Sequence, residues 1–209
     1  MRKETSDLLS VNELIEYEGK IDSLIKKASP RLIFNESAVH ATLITTGFLN
    51  NASSINMYCG EFSIFRKDFK DEISEELKKM KENNIVDNSE HKNFDPYQKS
   101  IDALEKFFAV RKGQMNVITQ KDITKLIYEP VWNNFLWRFH KNKQLVFYKY
   151  FNEKLELFHF TVADNKMYRQ ESDAKNRTAF ACFNDEESSS LLNTSFAILK
   201  KDSEVIDLS

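Results

Sequence analysis

The sequence predicts an α/β fold: a mixed, largely parallel sheet with helices on both faces. Three observations carry that expectation. Segments of helical period alternate with short apolar strand segments over most of the chain, which implies crossover connections. Apolar alternation at Leu157–Lys166 runs into Asp164-Asn165 and resumes at Met167, a hairpin signature, because Asn and Asp tolerate the left-handed backbone of a tight turn. Hydrophobic residues make up 41% and charged residues 30% of 209, the balance of a soluble protein with a packed core.

The elements follow in order. Leu8 to Ala28 reads as one helix or two short ones, with Leu14, Ile21, Leu24 and Ile25 on one face and Ser29-Pro30 as the stop. Asn35 or Ser37 is placed to cap a second helix to about Asn51, with Val39, Leu43, Ile44 and Phe48 inward. Ile55 to Gly60 is a short strand that continues loosely through Phe62–Phe65. Asp71 to Glu82 is a charged, solvated helix, and Asn83 to Phe94 is the best loop. Pro96 opens a helix to about Val110, with Ile101, Leu104, Phe107 and Phe108 apolar and Gly113 ending it. Met115 to Thr119 is a buried strand. Ile123 to Phe139 is helical, with Trp132, Phe135, Leu136 and Phe139 inward, and Pro130 breaks or restarts it. Leu145 to Tyr150 alternates as a strand, and the hairpin follows. Arg177 to Asn184 adds a strand, and Asp185 to Lys200 closes as a helix capped by Asn184 or Asp185. Residues 1–30 then form a helical extension, 31–200 the α/β domain and 201–209 a tail.

Composition narrows the function classes. A net charge of −2 argues against strong unspecific nucleic-acid binding, which needs a basic face. Four Gly and three Pro leave no long phosphate-cradling loop. Cys59 and Cys182 are too few and too far apart for a disulfide scaffold or a zinc cluster, and read as reduced, buried thiols. His40 and His140 fall on helices without a ligand partner at i+3 or i+4, and His91 lies in the polar loop, so neither metal nor cofactor is expected. No apolar run reaches the length of a membrane span, and a cytoplasmic setting is expected.

Leu157-Phe158-His159-Phe160-Thr161-Val162-Ala163-Asp164 resembles the active-site strand of the phospholipase D superfamily, where H-x-K-x-x-x-x-D runs into such a turn. The register puts Leu157 at the family's nucleophilic His, His159 at its Lys and Asp164 at its Asp. His40 to Tyr58 (HATLITTGFLNNASSINMY) is similar to the family's opening helix, turn and first strand. Ile101 to Thr119 (IDALEKFFAVRKGQMNVIT) is similar to its second helix, Gly stop and second strand. Thr178 to Leu199 (TAFACFNDEESSSLLNTSFAIL) is similar to the strand, turn and last helix after the motif. The resemblance implies a phospholipase D-like sheet over about Arg31 to Lys200. It also implies phosphodiester chemistry: one His attacks phosphorus, a second protonates the leaving oxygen, and Lys neutralises the phosphate. Single-copy members dimerise so that two motifs meet. Leu157 has no lone pair for that attack, and Glu171-Ser172-Asp173 stands near the family's G-S-x-N without its Gly. The chain therefore resembles a single-copy member with a degenerate motif, leaning to no enzyme.

The relict candidates are His159, Asp164 and Glu61. His159 could offer a proton or positive charge, Asp164 is most simply a turn residue, and Glu61 follows the first strand at the end that faces the family's site. Lys121, Lys125, Lys141 and Lys143, with Trp132, Trp137 and Tyr148, could form a basic, ring-bearing patch for single-stranded nucleic acid; the bland counterpart is a solvated helix end over an aromatic core.

The leading expectation is a non-catalytic phospholipase D-like domain, an assembly or accessory subunit of a bacterial multi-protein system such as those acting against phage. It would pair as a homodimer or with an ATPase or nuclease subunit. Two classes stay open beside it: a nuclease or phosphodiesterase using a non-standard set such as His159 with Glu61, and a nucleic-acid-binding sensor that kept the phosphate cleft.

Overall fold

The computed structural model describes residues 10–83, 94–151, 158–173 and 178–208. Leu157, His91 and most of the expected loop after Asn83 lie outside the described residues. One sheet of eight strands organises the chain: β1 (Ile33–Asn35), β2 (Ser54–Cys59), β3 (Gln114–Thr119), β4 (Leu145–Tyr150), β5 (Phe160–Ala163), β6 (Met167–Asp173), β7 (Thr178–Cys182) and β8 (Ser203–Ile206). Their spatial order is β1-β7-β6-β5-β2-β3-β4-β8.

The α/β class and the mixed sheet are as expected, but the proportion of parallel pairing is not. Two of the seven pairings, β2–β3 and β3–β4, are parallel. Those three are consecutive strands joined by helical crossovers, which let the chain return in the same direction. β5, β6 and β7 follow one another through short connections, which force antiparallel neighbours. Two strands were not foreseen. β1 is three residues long and lies before the second helix. β8 lies inside the expected tail 201–209 and pairs antiparallel with β4, so that stretch closes one sheet edge.

Helix boundaries follow the capping chemistry. Ser10 and Glu13 form a reciprocal capping box at the start of α1 (Val11–Lys26). Ser37 caps α2 (Ala38–Asn51) through the His40 amide, and α3 spans Lys67–Asn83. Asp95 caps α4 (Pro96–Ala109), with Pro96 in the first turn, where its missing N–H costs nothing. Gly113 has another role than the expected C-cap. The left-handed residue there is Lys112 (φ 57°), whereas a Cβ on Gly113 would lie 2.4 Å from Cζ of Phe107. Glycine is required for contact with a core ring.

The expected helix 123–139 is three pieces: a 3-10 turn (Thr124–Tyr128), a π-helical turn (Trp132–Leu136) and α5 (Trp137–Lys141). Pro130 explains the break, since it holds Glu129 extended (φ −76°, ψ 140°) and offers no N–H. The loose strand expected through Phe62–Phe65 is instead a 3-10 turn entered from Phe62 in the left-handed region (φ 54°). α6 (Glu186–Lys201) is capped by Asp185.

Strand alternation sends side chains to two cores. Ile55, Met57, Val117, Phe147, Met167 and Ala181 join the larger core under α1–α5. Tyr58, Ile118, Tyr148, Phe160, Val162 and Cys182 form a smaller core that α6 alone covers through Phe196 and Leu199.

Candidate functional site

β2 and β3 are parallel, so both finish at one end of the sheet. β5 runs against β2 with Tyr58 opposite Phe160, which brings the start of β5 to that same end. His159 therefore lies beside Gly60, where an added Cβ would sit 3.5 Å from the ring. β6 pairs with β5 next door, and the Glu171 amide donates to the His159 carbonyl at 2.9 Å. The two side chains then share a face. His159 Nδ1 lies 3.0 Å from Glu171 Oε2. Nε2 lies 3.1 Å from Oε1 of Gln120, the residue after β3, whose carbonyl also accepts from Lys149 Nζ. The hydrogen bond from His159 holds the Glu171 carboxyl below the usual glutamate range; burial opposes it, and the charges of His159 and Arg169 add to it.

Gly60, His159 and Glu171 line a cleft of about 500 Å³ between α2, α3 and the ends of β2, β5 and β6. Glu61 and Lys121 line it too, but not as expected. Glu61 does not face His159: it holds Lys121 Nζ at 2.7 Å and Arg66 Nη1 at 3.0 Å. The Lys121 hydrogen bond is the main cause of its lowered carboxyl pKa. Arg66 also reaches Asp68 at 3.1 Å. The lining carries the carboxylates Glu61, Asp68, Glu72 and Glu171 against the cations Lys121 and Arg169.

Asp164 is not in this site. It lies at the other end of β5, five residues from His159, or about 16 Å along an extended strand. It sits at φ 50° and accepts from the Ser53 amide at 2.9 Å and the Ser54 amide at 2.8 Å, with both hydroxyls in reach. Its carboxylate ties the hairpin turn to the start of β2.

The basic set separates in the same way. Lys121 and Lys125 follow the C-terminal end of β3. Lys141 and Lys143 precede the N-terminal end of β4, which is parallel to β3 in the register Met115–Leu145. That puts on the order of 25 Å of sheet between Lys121 and Lys143. Trp132 is buried against His140 and Phe147, and Tyr148 is buried under Lys200. The four lysines do not make one patch.

The other histidines serve the fold. His40 Nδ1 accepts from the Glu36 amide at 3.4 Å and its ring packs on Tyr17, with burial lowering its pKa. His140 lies between the Leu145 carbonyl at 3.1 Å and the Leu208 amide at 3.3 Å. Among the described residues no group of three or more His, Cys, Asp or Glu is placed to hold a metal ion.

Arg169 and Asn35 line the cleft and Gln120 contacts His159, yet none of the three was picked out from the sequence as a site residue, nor was Glu171 picked out as the partner of His159. One signal was present. Met167, Arg169 and Glu171 fall on one face of β6, so an inward apolar residue shares its face with two charges, an arrangement that marks a polar cavity.

No protein-family model matches the chain, and none of the curated proteins matches it. Solved structures do. TrmBL2, an archaeal chromatin protein whose structure shows a mode of DNA binding, aligns with a TM-score of 0.51 at 13% identity over 93% of this chain. This chain spans 64% of the TrmBL2 chain, just under two thirds of its length. Nuc, a phospholipase D family member from Salmonella typhimurium, aligns with a TM-score of 0.51 at 9% identity over 84% of this chain and 96% of Nuc. Phosphatidylserine synthase from Haemophilus influenzae aligns over 84% of this chain and 39% of its own, at 6% identity and a TM-score of 0.44. No helix among the described residues is long and apolar enough to cross a membrane. At these identities the likeness is one of fold, and the chain has an α/β fold of the phospholipase D type.

Proposed function

We propose that this chain is a non-catalytic phospholipase D-like domain that works in assembly, as an accessory subunit of a bacterial multi-protein system. Systems acting against phage are the kind of setting meant, and a cytoplasmic location belongs to the same proposal. One observation carries the non-catalytic part: both ring nitrogens of His159 are engaged, Nδ1 by Glu171 and Nε2 by Gln120. An imidazole that attacks phosphorus needs a nitrogen lone pair free to approach it. Leu157 supplies none. Lys121 is already matched by Glu61.

Exposed apolar side chains support the assembly part. Leu191 and Ile198, seven residues apart on α6, are 66% and 57% exposed, Val205 on β8 is 66% exposed, and Phe34 on edge strand β1 is 64% exposed. Isolated apolar residues are ordinary on a surface, whereas a stripe along the single helix of one sheet face suits a partner. Light scattering after size exclusion tests this, on the chain alone and co-expressed with the products of flanking genes. A dimer or complex that Leu191→Glu with Ile198→Glu dissociates is expected. A monomer under every one of those conditions contradicts it.

A second reading, nucleic-acid contact outside the cleft, is favoured by the fold likeness to the DNA-binding TrmBL2 and by Lys141 and Lys143 near half-exposed Trp137. Binding would then weaken steeply with salt and fall in Lys141→Ala with Lys143→Ala. No binding at low salt ends that reading.

A further inference from the structure

A guanidinium with few direct partners lies on the β1 side of the cleft, away from His159. Arg169 projects from β6 on the same face as Glu171, and burial disfavours its charged form. A guanidinium has five N–H donors. Among the described residues Arg169 uses one: Nε–H donates to Asn35 Oδ1 at 3.0 Å. No ion pair joins it to a described carboxylate, and the nearby Glu171 is committed to His159. Asn35 is 1% exposed and lines the same cleft, and its Nδ2 has no acceptor. Buried Asn35 on β1 and half-buried Arg169 on β6, with β7 between the two strands, thus hold unused donors at one end of a cavity. The amides at the start of α2 add nothing there, because Glu76 accepts from Ala38 and Val39 at 3.2 and 3.3 Å.

A buried donor without an acceptor, as Asn35 Nδ2 is, is costly unless something arrives to meet it. We infer that this end of the cleft is a receptor site for the oxyanion of a small metabolite, a carboxylate or a phosphate, held by Arg169 and Asn35. The guanidinium fork matches two oxygens at once, and the Asn35 amide supplies a further donor. The rest of the cleft sets the size and kind of ligand. Its volume of about 500 Å³ falls in the range of small-molecule pockets. Met57, Ile64 and Phe69 offer apolar wall for a carbon frame. The inference stands whether or not the chain assembles with a partner.

Thermal unfolding of the full chain, titrated separately with sodium phosphate and sodium acetate against sodium chloride at matched ionic strength, tests it. A saturable rise of about 3–6 °C at tenfold excess over the dissociation constant is expected in one arm. The arm that saturates names the source of the oxyanion. Arg169→Met, which keeps volume and removes the charge, should abolish the rise. Asn35→Asp provides an internal carboxylate for Arg169, so it should raise the midpoint of the unliganded chain and abolish the rise as well. No rise beyond chloride, or a rise retained in either variant, overturns the inference.

Discussion

The two ends of β5 lie in one short strand and were shaped by different demands. At the Asp164 end a carboxylate meets the amides and hydroxyls of Ser53 and Ser54. Those partners are backbone groups, or hydroxyls beside them, and they need only an acceptor in a left-handed turn. At the His159 end the imidazole meets side chains from two other parts of the sheet, Gln120 after β3 and Glu171 on β6. The first end serves the fold. The second is a chemical site whose groups satisfy one another, and that leaves little for a substrate.

Breaking the turn should cost most. Asp164→Ala strands two amides at once and should destabilise the protein by about 2 kcal/mol in urea unfolding. Asp164→Asn keeps an acceptor and tolerates the left-handed backbone, so it should cost about half as much. At the other end, Glu171→Gln removes a charge-assisted contact and should cost about 1 kcal/mol.

The same substitution has a pH signature. The folded-state pKa of Glu171 is depressed, so its contribution is present above the ordinary glutamate value of about 4.3 and is lost as pH falls through the lower folded value. Stability measured from pH 6 downward should fall less steeply in Glu171→Gln than in the wild type. An unchanged acid limb would show that the His159 contact adds nothing to folding.

Smaller effects are expected at the rim. Lys121→Ala breaks an exposed pair with Glu61 and should change stability by no more than about 1 kcal/mol, less at high salt. Cys59 lines the cleft without being a usable nucleophile, because burial pushes its thiol up to about 12. Iodoacetamide at pH 8 should label it slowly in the native protein and rapidly in urea. Fast native labelling would mean that the cleft opens.

The same contrast explains what the sequence made legible. Helix starts and the hairpin turn are written by local chemistry, and Ser37, Pro96, Asp164 and Asp185 act where they were expected to. β1 and β8 escaped because strands of three and four residues carry too little alternation to read. The share of parallel pairing was overestimated because strand direction depends on connection length, which periodicity does not encode. His159 and Glu61 line the same cleft, but their partners were not legible. A pairing such as His159 with Glu171 is fixed by the register between β5 and β6, and Arg169 with Asn35 spans 134 positions. The lysines illustrate the converse: near neighbours in sequence were expected to cluster, and the crossover into β4 carries Lys141 and Lys143 to the opposite end of the sheet.

The most direct test of the proposed non-catalytic role, with His159 held by Glu171 and Gln120, is single-turnover cleavage of labelled single- and double-stranded DNA and RNA, with and without divalent metal. Wild type and His159→Ala should both match the buffer control. Cleavage by the wild type that disappears in His159→Ala would contradict that role.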